Sequence, residues 1–152
     1  MVSIFLCTTK YLLHYSSDSK LKAQSNWINF AIKNLNDDDR IKVANPTWNG
    51  KYEEAHSESI DEDNKFYKGF GFSDQCYLIK TKDFRKCIYN EYNNSSERYP
   101  SYGGELFEKR VDSWMRNNHY YRITYKHGSY YHKNFPTNII KKILRHIDEK
   151  FN

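Results

Sequence analysis

The side chains with the clearest chemical potential lie at residues 103–116. Directly after Gly103-Gly104, Phe107, Val111, Trp114 and Met115 recur at helical spacing and make one apolar face. Glu105, Glu108 and Asp112 make a second stripe on the same helix. One acid near a helix start is favoured by the positive end of the backbone dipole. Glu108 and Asp112, one turn apart, repel instead, at a cost of about a few tenths of a kcal/mol. A chain that tolerates this repulsion has reason to keep a carboxylate there, and a carboxylate facing a substrate hydroxyl is a general base. The alternative is a solvated helix face, balanced by Lys109, Arg110 and Arg116.

Three further stretches carry polar groups in suggestive places. Tyr11-Leu12-Leu13-His14-Tyr15 reads as a strand that runs into the acid-bearing turn Ser16-Ser17-Asp18-Ser19. In an α/β sheet, the turn at the C-terminal end of a strand is where ligands bind. An aspartate there can hold a divalent cation that bridges phosphates, although one acid makes a weak site and a turn or cap role fits equally. Gly69-Phe70-Gly71-Phe72-Ser73-Asp74-Gln75 puts an acid and an amide just before a strand, suited to sugar hydroxyls or to a tight turn. His119, His127 and His132 sit in an aromatic, basic stretch, where histidine can ligate a metal or contact phosphate. Interleaved Tyr and Lys/Arg also suit stacking on bases. There is no zinc-finger spacing, no P-loop and no dinucleotide-binding glycine motif.

These side chains need a scaffold, and the composition describes a lean one. The chain has 152 residues, which suits one domain, residues 1–152, with 38% hydrophobic residues and 17% aromatic. Its 14 tyrosines must supply both core area and hydroxyls that need partners. The net charge of +5 permits anionic partners such as nucleic acid, sugar nucleotides or acidic lipid heads without choosing among them. Cys7, Cys76 and Cys87 are odd in number and far apart, the pattern of reduced thiols in a cytoplasmic protein. No apolar run approaches the roughly 20 residues of a membrane span, and residues 1–13 lack the basic start and cleavage site of a signal peptide.

Alternating periodicities predict an α/β layer structure, a mixed sheet flanked by helices. Residues 2–15 read as a buried strand broken near Thr8-Thr9. Residues 27–35 read as a helix with Ser25 as cap, and residues 41–44 as a short strand stopped by Pro46. Residues 48–66, polar and acidic, read as a long loop. Residues 76–79 are the next strand, residues 82–89 a short helix and residues 92–102 a loop. The helix at 105–118 follows, then a strand or hairpin over 120–131 and a closing amphipathic helix over 139–151.

Taken in order, four of these segments resemble the later part of a GT-A-type glycosyltransferase of the family-2-like group. They are Leu12-Leu13-His14-Tyr15-Ser16-Ser17-Asp18, which resembles the stretch carrying that family's D-x-D motif; Trp27-Ile28-Asn29-Phe30-Ala31-Ile32 with Ile41-Lys42-Val43-Ala44-Asn45-Pro46-Thr47-Trp48-Asn49; Phe72-Ser73-Asp74-Gln75-Cys76-Tyr77-Leu78-Ile79; and Gly103-Gly104-Glu105-Leu106-Phe107-Glu108-Lys109-Arg110. The first D-x-D position falls on Ser16, leaving Asp18 alone. The N-terminal βαβ portion that holds the nucleobase has no counterpart.

The resemblance implies a partial GT-A-like sheet and transfer of a sugar from a nucleotide-sugar donor to a glycan or lipid-linked acceptor. It implies Glu108, with Glu105 as runner-up, as catalytic base. Asp74, Gln75, Trp48 and Arg110 would contact substrate, and Asp18 and His132 would hold Mg²⁺ or Mn²⁺. It also implies a cytoplasmic protein with peripheral membrane association, and a partner chain supplying the nucleotide-binding half. Two other readings stand beside it. One is a non-catalytic or truncated remnant of the fold, favoured by Ser16. The other is a basic aromatic nucleic-acid-binding module, opposed by the acidic stripe, which would repel phosphates.

Overall fold

The computed structural model describes residues 2–99 and 107–132. It is a mixed α/β structure: a seven-stranded sheet with helices packed on both faces. In chain order the elements are α1 (Val2–Leu6), β1 (Tyr11–Tyr15), β2 (Ser19–Leu21), α2 (Trp27–Asp37), β3 (Ile41–Trp48), α3 (Tyr52–Ser57), β4 (Ser59–Glu62), β5 (Phe66–Gly69), β6 (Cys76–Lys80), α4 (Thr81–Phe84), a 3₁₀ turn (Asn94–Arg98), α5 (Phe107–Asn117) and β7 (Tyr121–His132). The strand order is β1-β6-β3-β7-β5-β4, with β2 also on β7. β3 and β7 are parallel, and the other pairings are antiparallel.

Strand alternation divides the core between the two faces. On β6, Cys76 and Leu78 join Trp27, Ala31 and Leu35 of α2 on one side. Tyr77 and Ile79 join Val111, Trp114 and Met115 of α5 on the other. Ala44 and Val43 of β3 split in the same way. Every residue of β6 is buried, as befits a strand covered on both faces. The apolar stripe on α5 and the Trp27, Ala31, Leu35 stripe on α2 are therefore the two surfaces that close the sheet.

Several local readings are corrected. Residues 2–6 are helical rather than strand: α1 buries Ile4 against the α5 side, and the chain pairs with β6 only from Tyr11. The N-cap of α2 is Asn26, and the buried Ser25 hydroxyl has no hydrogen-bond partner. Pro46 lies inside β3 and does not stop it. Proline lacks only the N–H, and β6 pairs with β3 no further than Ala44. The register with β7 then shifts between Pro46 and Thr47, because β7 carries extra residues there. The expected 48–66 loop holds α3 and the exposed hairpin strand β4. Their solvated positions gave no apolar period to read. Residues 94–98, expected as loop, form a 3₁₀ turn in which the Asn93 side chain accepts from the Ser95 N–H. The 139–151 helix and the start of the 105–118 helix lie outside the described residues.

Candidate functional site

The strand directions determine which loops meet. β1, β3 and β7 run the same way, antiparallel to β6. Their C-terminal ends, at Tyr15, Trp48 and the last residues of β7, therefore gather beside the N-terminal end of β6. Tyr15 pairs with Cys76, and the Ser16 N–H donates to the Gln75 carbonyl at 2.8 Å. The turn that carries Asp18 is thereby fastened to the turn that carries Asp74 and Gln75.

Side chains continue this connection as a chain of hydrogen bonds. Gln75 Nε2 donates to Asp74 Oδ1 at 2.8 Å. The Ser16 hydroxyl lies 2.7 Å from Gln75 Oε1, 2.8 Å from Asp18 Oδ1 and 2.7 Å from the Ser19 hydroxyl. One hydroxyl proton serves one acceptor at a time, so Ser16 is shared between Gln75 and Asp18. Ser16, which read as a missing acid, is the joint of this network.

Glu108 reaches the same place from α5. Its Oε1 accepts the Asp74 backbone N–H at 2.9 Å. Helical periodicity explains the aim: Val111, Trp114 and Met115 bury the adjacent stripe, which turns Glu108 toward the Ser73-Asp74 turn at the sheet end. Burial pushes the Glu108 carboxyl up to about 7, and the neighbouring Asp74 charge adds to the rise against the opposing bond from the Asp74 N–H. A carboxyl in that range exchanges its proton near neutral pH, as a general base must. Ser73 also contacts Tyr130, whose hydroxyl lies 3.4 Å from the Ser73 hydroxyl. His14 stacks on Tyr77 with ring centroids 4.9 Å apart, and burial lowers its pKa.

The structure thus brings Glu108, Asp74, Gln75 and Asp18 together. Trp48 lies at the same end, as the register partner of Tyr130 on β7, with Lys51 Nζ 4.5 Å above its ring. In backbone register, His132 pairs with Ser19, next to Asp18; its side chain lies outside the description. Glu105 lies outside the described residues. Arg110 is not drawn to the cluster by the contacts seen: its Nη1 donates to the Glu91 carbonyl at 3.0 Å, on another side of α5. His119 ends α5 in a left-handed conformation (φ 53), and the His127 ring bonds the Asn64 carbonyl at 2.8 Å beside the β4–β5 turn. Neither contact joins them to the Glu108 cluster.

Among the described residues, no group of three or more His, Cys, Asp or Glu side chains is placed to hold a metal ion. Asp18 is a single carboxylate already accepting from Ser16, so the described donors do not fit a cation cage built from protein alone. Among the described residues, no helix is long and apolar enough to cross a membrane. Sequence reasoning missed Ser16 and Tyr130. Only β1–β6 pairing brings Ser16 to Gln75, and only the extra residues in β7 bring Tyr130 level with Trp48. No protein-family model matches the chain, and no curated protein matches it.

Proposed function

We propose that the chain is a glycosyltransferase-like domain in which Glu108 is the general base. The observation that carries this reading is the place of the Glu108 carboxyl, half-buried and fixed by the Asp74 N–H at the sheet end where Asp18 and Gln75 also gather, with burial pushing its pKa up. In the proposed step, the acceptor hydroxyl oxygen attacks the anomeric carbon of the donor sugar. Its proton passes to the Glu108 carboxylate. The bond from the anomeric carbon to the donor's phosphate oxygen breaks, and the electron pair leaves with the nucleotide. Asp74 and Gln75 hold sugar hydroxyls, with Trp48 at the same end of the sheet. The donor is a nucleotide-sugar, the acceptor a glycan or lipid-linked glycan, and the compartment the cytoplasm. A cation at Asp18 would depend on oxygens brought by the donor's phosphate. A partner chain would supply the nucleobase pocket.

The test is transfer from a panel of UDP-, GDP- and CMP-sugars to glycan acceptors, comparing wild type with Glu108→Gln. The amide keeps the shape but cannot take the proton, so transfer should fall by about 10²–10⁴-fold. Equal transfer by both proteins would sink the assignment. Ser16 supports a second reading, a non-catalytic remnant that keeps the network but not the donor site. Absence of heat on titrating every nucleotide-sugar with Mg²⁺ or Mn²⁺ would favour it.

A further inference from the structure

Gly71 lies between β5 and β6 with φ +105, a conformation that residues with side chains rarely adopt. The space a Cβ would need is taken by two cations. An atom built there would lie 2.6 Å from Arg98 Nη2 and 3.0 Å from Arg122 Nη1. Glycine at this position is what allows two guanidinium groups to crowd the same stretch of backbone.

Two like charges held this close repel unless an anion lies between them. Glu58, at the junction of α3 and β4, provides one. Its Oε1 is 3.0 Å from Arg98 Nη1, and its Oε2 is 3.8 Å from Arg122 Nη2. The first contact is a hydrogen bond; the second is too long to be one. The Arg122 side chain is only 16% exposed, and its Nε is buried with no hydrogen-bond partner. A planar fork of donors, largely desolvated and incompletely satisfied by one carboxylate, suits a phosphoryl group, which offers more oxygens and more charge.

We propose that Arg98 and Arg122, converging over Gly71, form a phosphoryl-binding site, with Glu58 as an internal anion that competes for it. The ligand is a phosphate or diphosphate group, carried by a nucleotide or free. Gly71 stands three residues before Asp74, in the same connection between β5 and β6. The site stands apart from any role of Glu108 as a base. Competition by Glu58 makes the proposal specific: removing an acid should strengthen anion binding here, and removing either arginine should weaken it.

The experiment is calorimetric titration of the full chain with inorganic phosphate, pyrophosphate and UDP at low ionic strength. Wild type should saturate with at least one. Glu58→Gln should tighten binding severalfold, and Arg122→Lys should weaken it about tenfold because an ammonium cannot fork two oxygens. If Arg122→Lys does not fold by circular dichroism, Arg98→Gln carries the same expectation at a side chain 39% exposed. UDP bound more tightly than pyrophosphate assigns a nucleotide ligand, and equal binding assigns the phosphoryl group alone; both support the site. No saturation with any of the three, or affinities unmoved by Glu58→Gln and by the arginine variants, overturns it. Phosphoryl binding without sugar transfer would sink the Glu108 reading and keep this one, and transfer without phosphoryl binding at Arg98 and Arg122 would do the reverse.

Discussion

The backbone N–H of Asp74 donates to Oε1 of Glu108 at 2.9 Å, across 34 residues of chain. The bond ties the start of α5 to the turn before β6, and it holds a carboxyl where burial opposes its ionisation. The folded-state pKa is about 7, above the ordinary 4.5. Below pH 4.5 the group is neutral in both states and carries no penalty. As pH rises toward 7 the unfolded chain ionises first, so the folded state loses stability, and above 7 the loss is complete. Its ceiling is on the order of 3 kcal/mol. Glu108→Gln should flatten this part of the profile. His14, whose pKa is lowered by burial, acts with the opposite sign near neutral pH and is common to both proteins. The difference between wild-type and variant denaturation midpoints at pH 4.5 and 7.5 reads the Glu108 share. Parallel profiles would show that Glu108 titrates as an ordinary surface acid.

The Gln75 side chain bridges Asp74 and Ser16. Gln75→Ala leaves Asp74 Oδ1 without this donor and releases Ser16 to Asp18. The expected cost is about 1–2 kcal/mol, from a lost hydrogen bond and a partly buried acceptor left without its donor. Ser16→Ala should cost about 1 kcal/mol, and the double variant less than the sum, by about 0.5 kcal/mol or more, because the two residues share one bond. A denaturant double-mutant cycle measures this. Strict additivity would mean that the two side chains do not act through each other.

The carboxyl cluster was partly legible in the sequence. Glu108 stood out because a stripe of acids beside a stripe of apolar residues has a readable period, and Asp74, Gln75 and Asp18 stood out because they flank strand patterns. What joins them was not legible. The Ser16–Gln75 contact depends on the antiparallel pairing of β1 and β6, which lie 59 residues apart at that contact. The arginines over Gly71 come from the end of the 3₁₀ turn and from β7, and no local pattern relates them. The helices α2 and α5 were readable because each buries one full stripe against the sheet. α1 was not, because five residues of mixed apolar type fit a strand as well as a helix. The α3–β4 segment failed for the opposite reason: its side chains are mostly solvated, so burial imposes no period on them.

On the α5 face, Trp114 is wedged edge-on between Phe84 and Tyr120, with ring centroids 5.6 Å and 5.0 Å away. It is 6% exposed. Trp114→Ala should cost about 3–5 kcal/mol from lost burial and the cavity left behind. Trp114→Phe keeps an aromatic ring and should cost less than half as much. Equal losses for the two variants in urea would mean that the indole is not held by ring packing.

Lys42 and Asp83 form the most deeply buried of the ion pairs seen among the described residues. Lys42 Nζ lies 3.1 Å from Asp83 Oδ2, with side-chain exposures of 8% and 6%. The pair links β3 to α4 beneath the Tyr120 ring, which sits 4.6 Å from the ammonium. Lys86 lies 3.8 Å from the other carboxylate oxygen, but its side chain is 67% exposed and adds little. Removing one partner leaves a desolvated charge, so Lys42→Met should destabilise the fold by about 3–5 kcal/mol. Asp83→Leu alone strands the ammonium and should cost a similar amount. Replacing both removes the desolvation penalty along with the attraction, so Lys42→Met with Asp83→Leu should be close to neutral or stabilising. Urea midpoints of the two single variants and the double variant decide the matter. If the double variant is as unstable as the worse single one, the two residues contribute through separate contacts, and the pair is not the unit that joins α4 to the sheet.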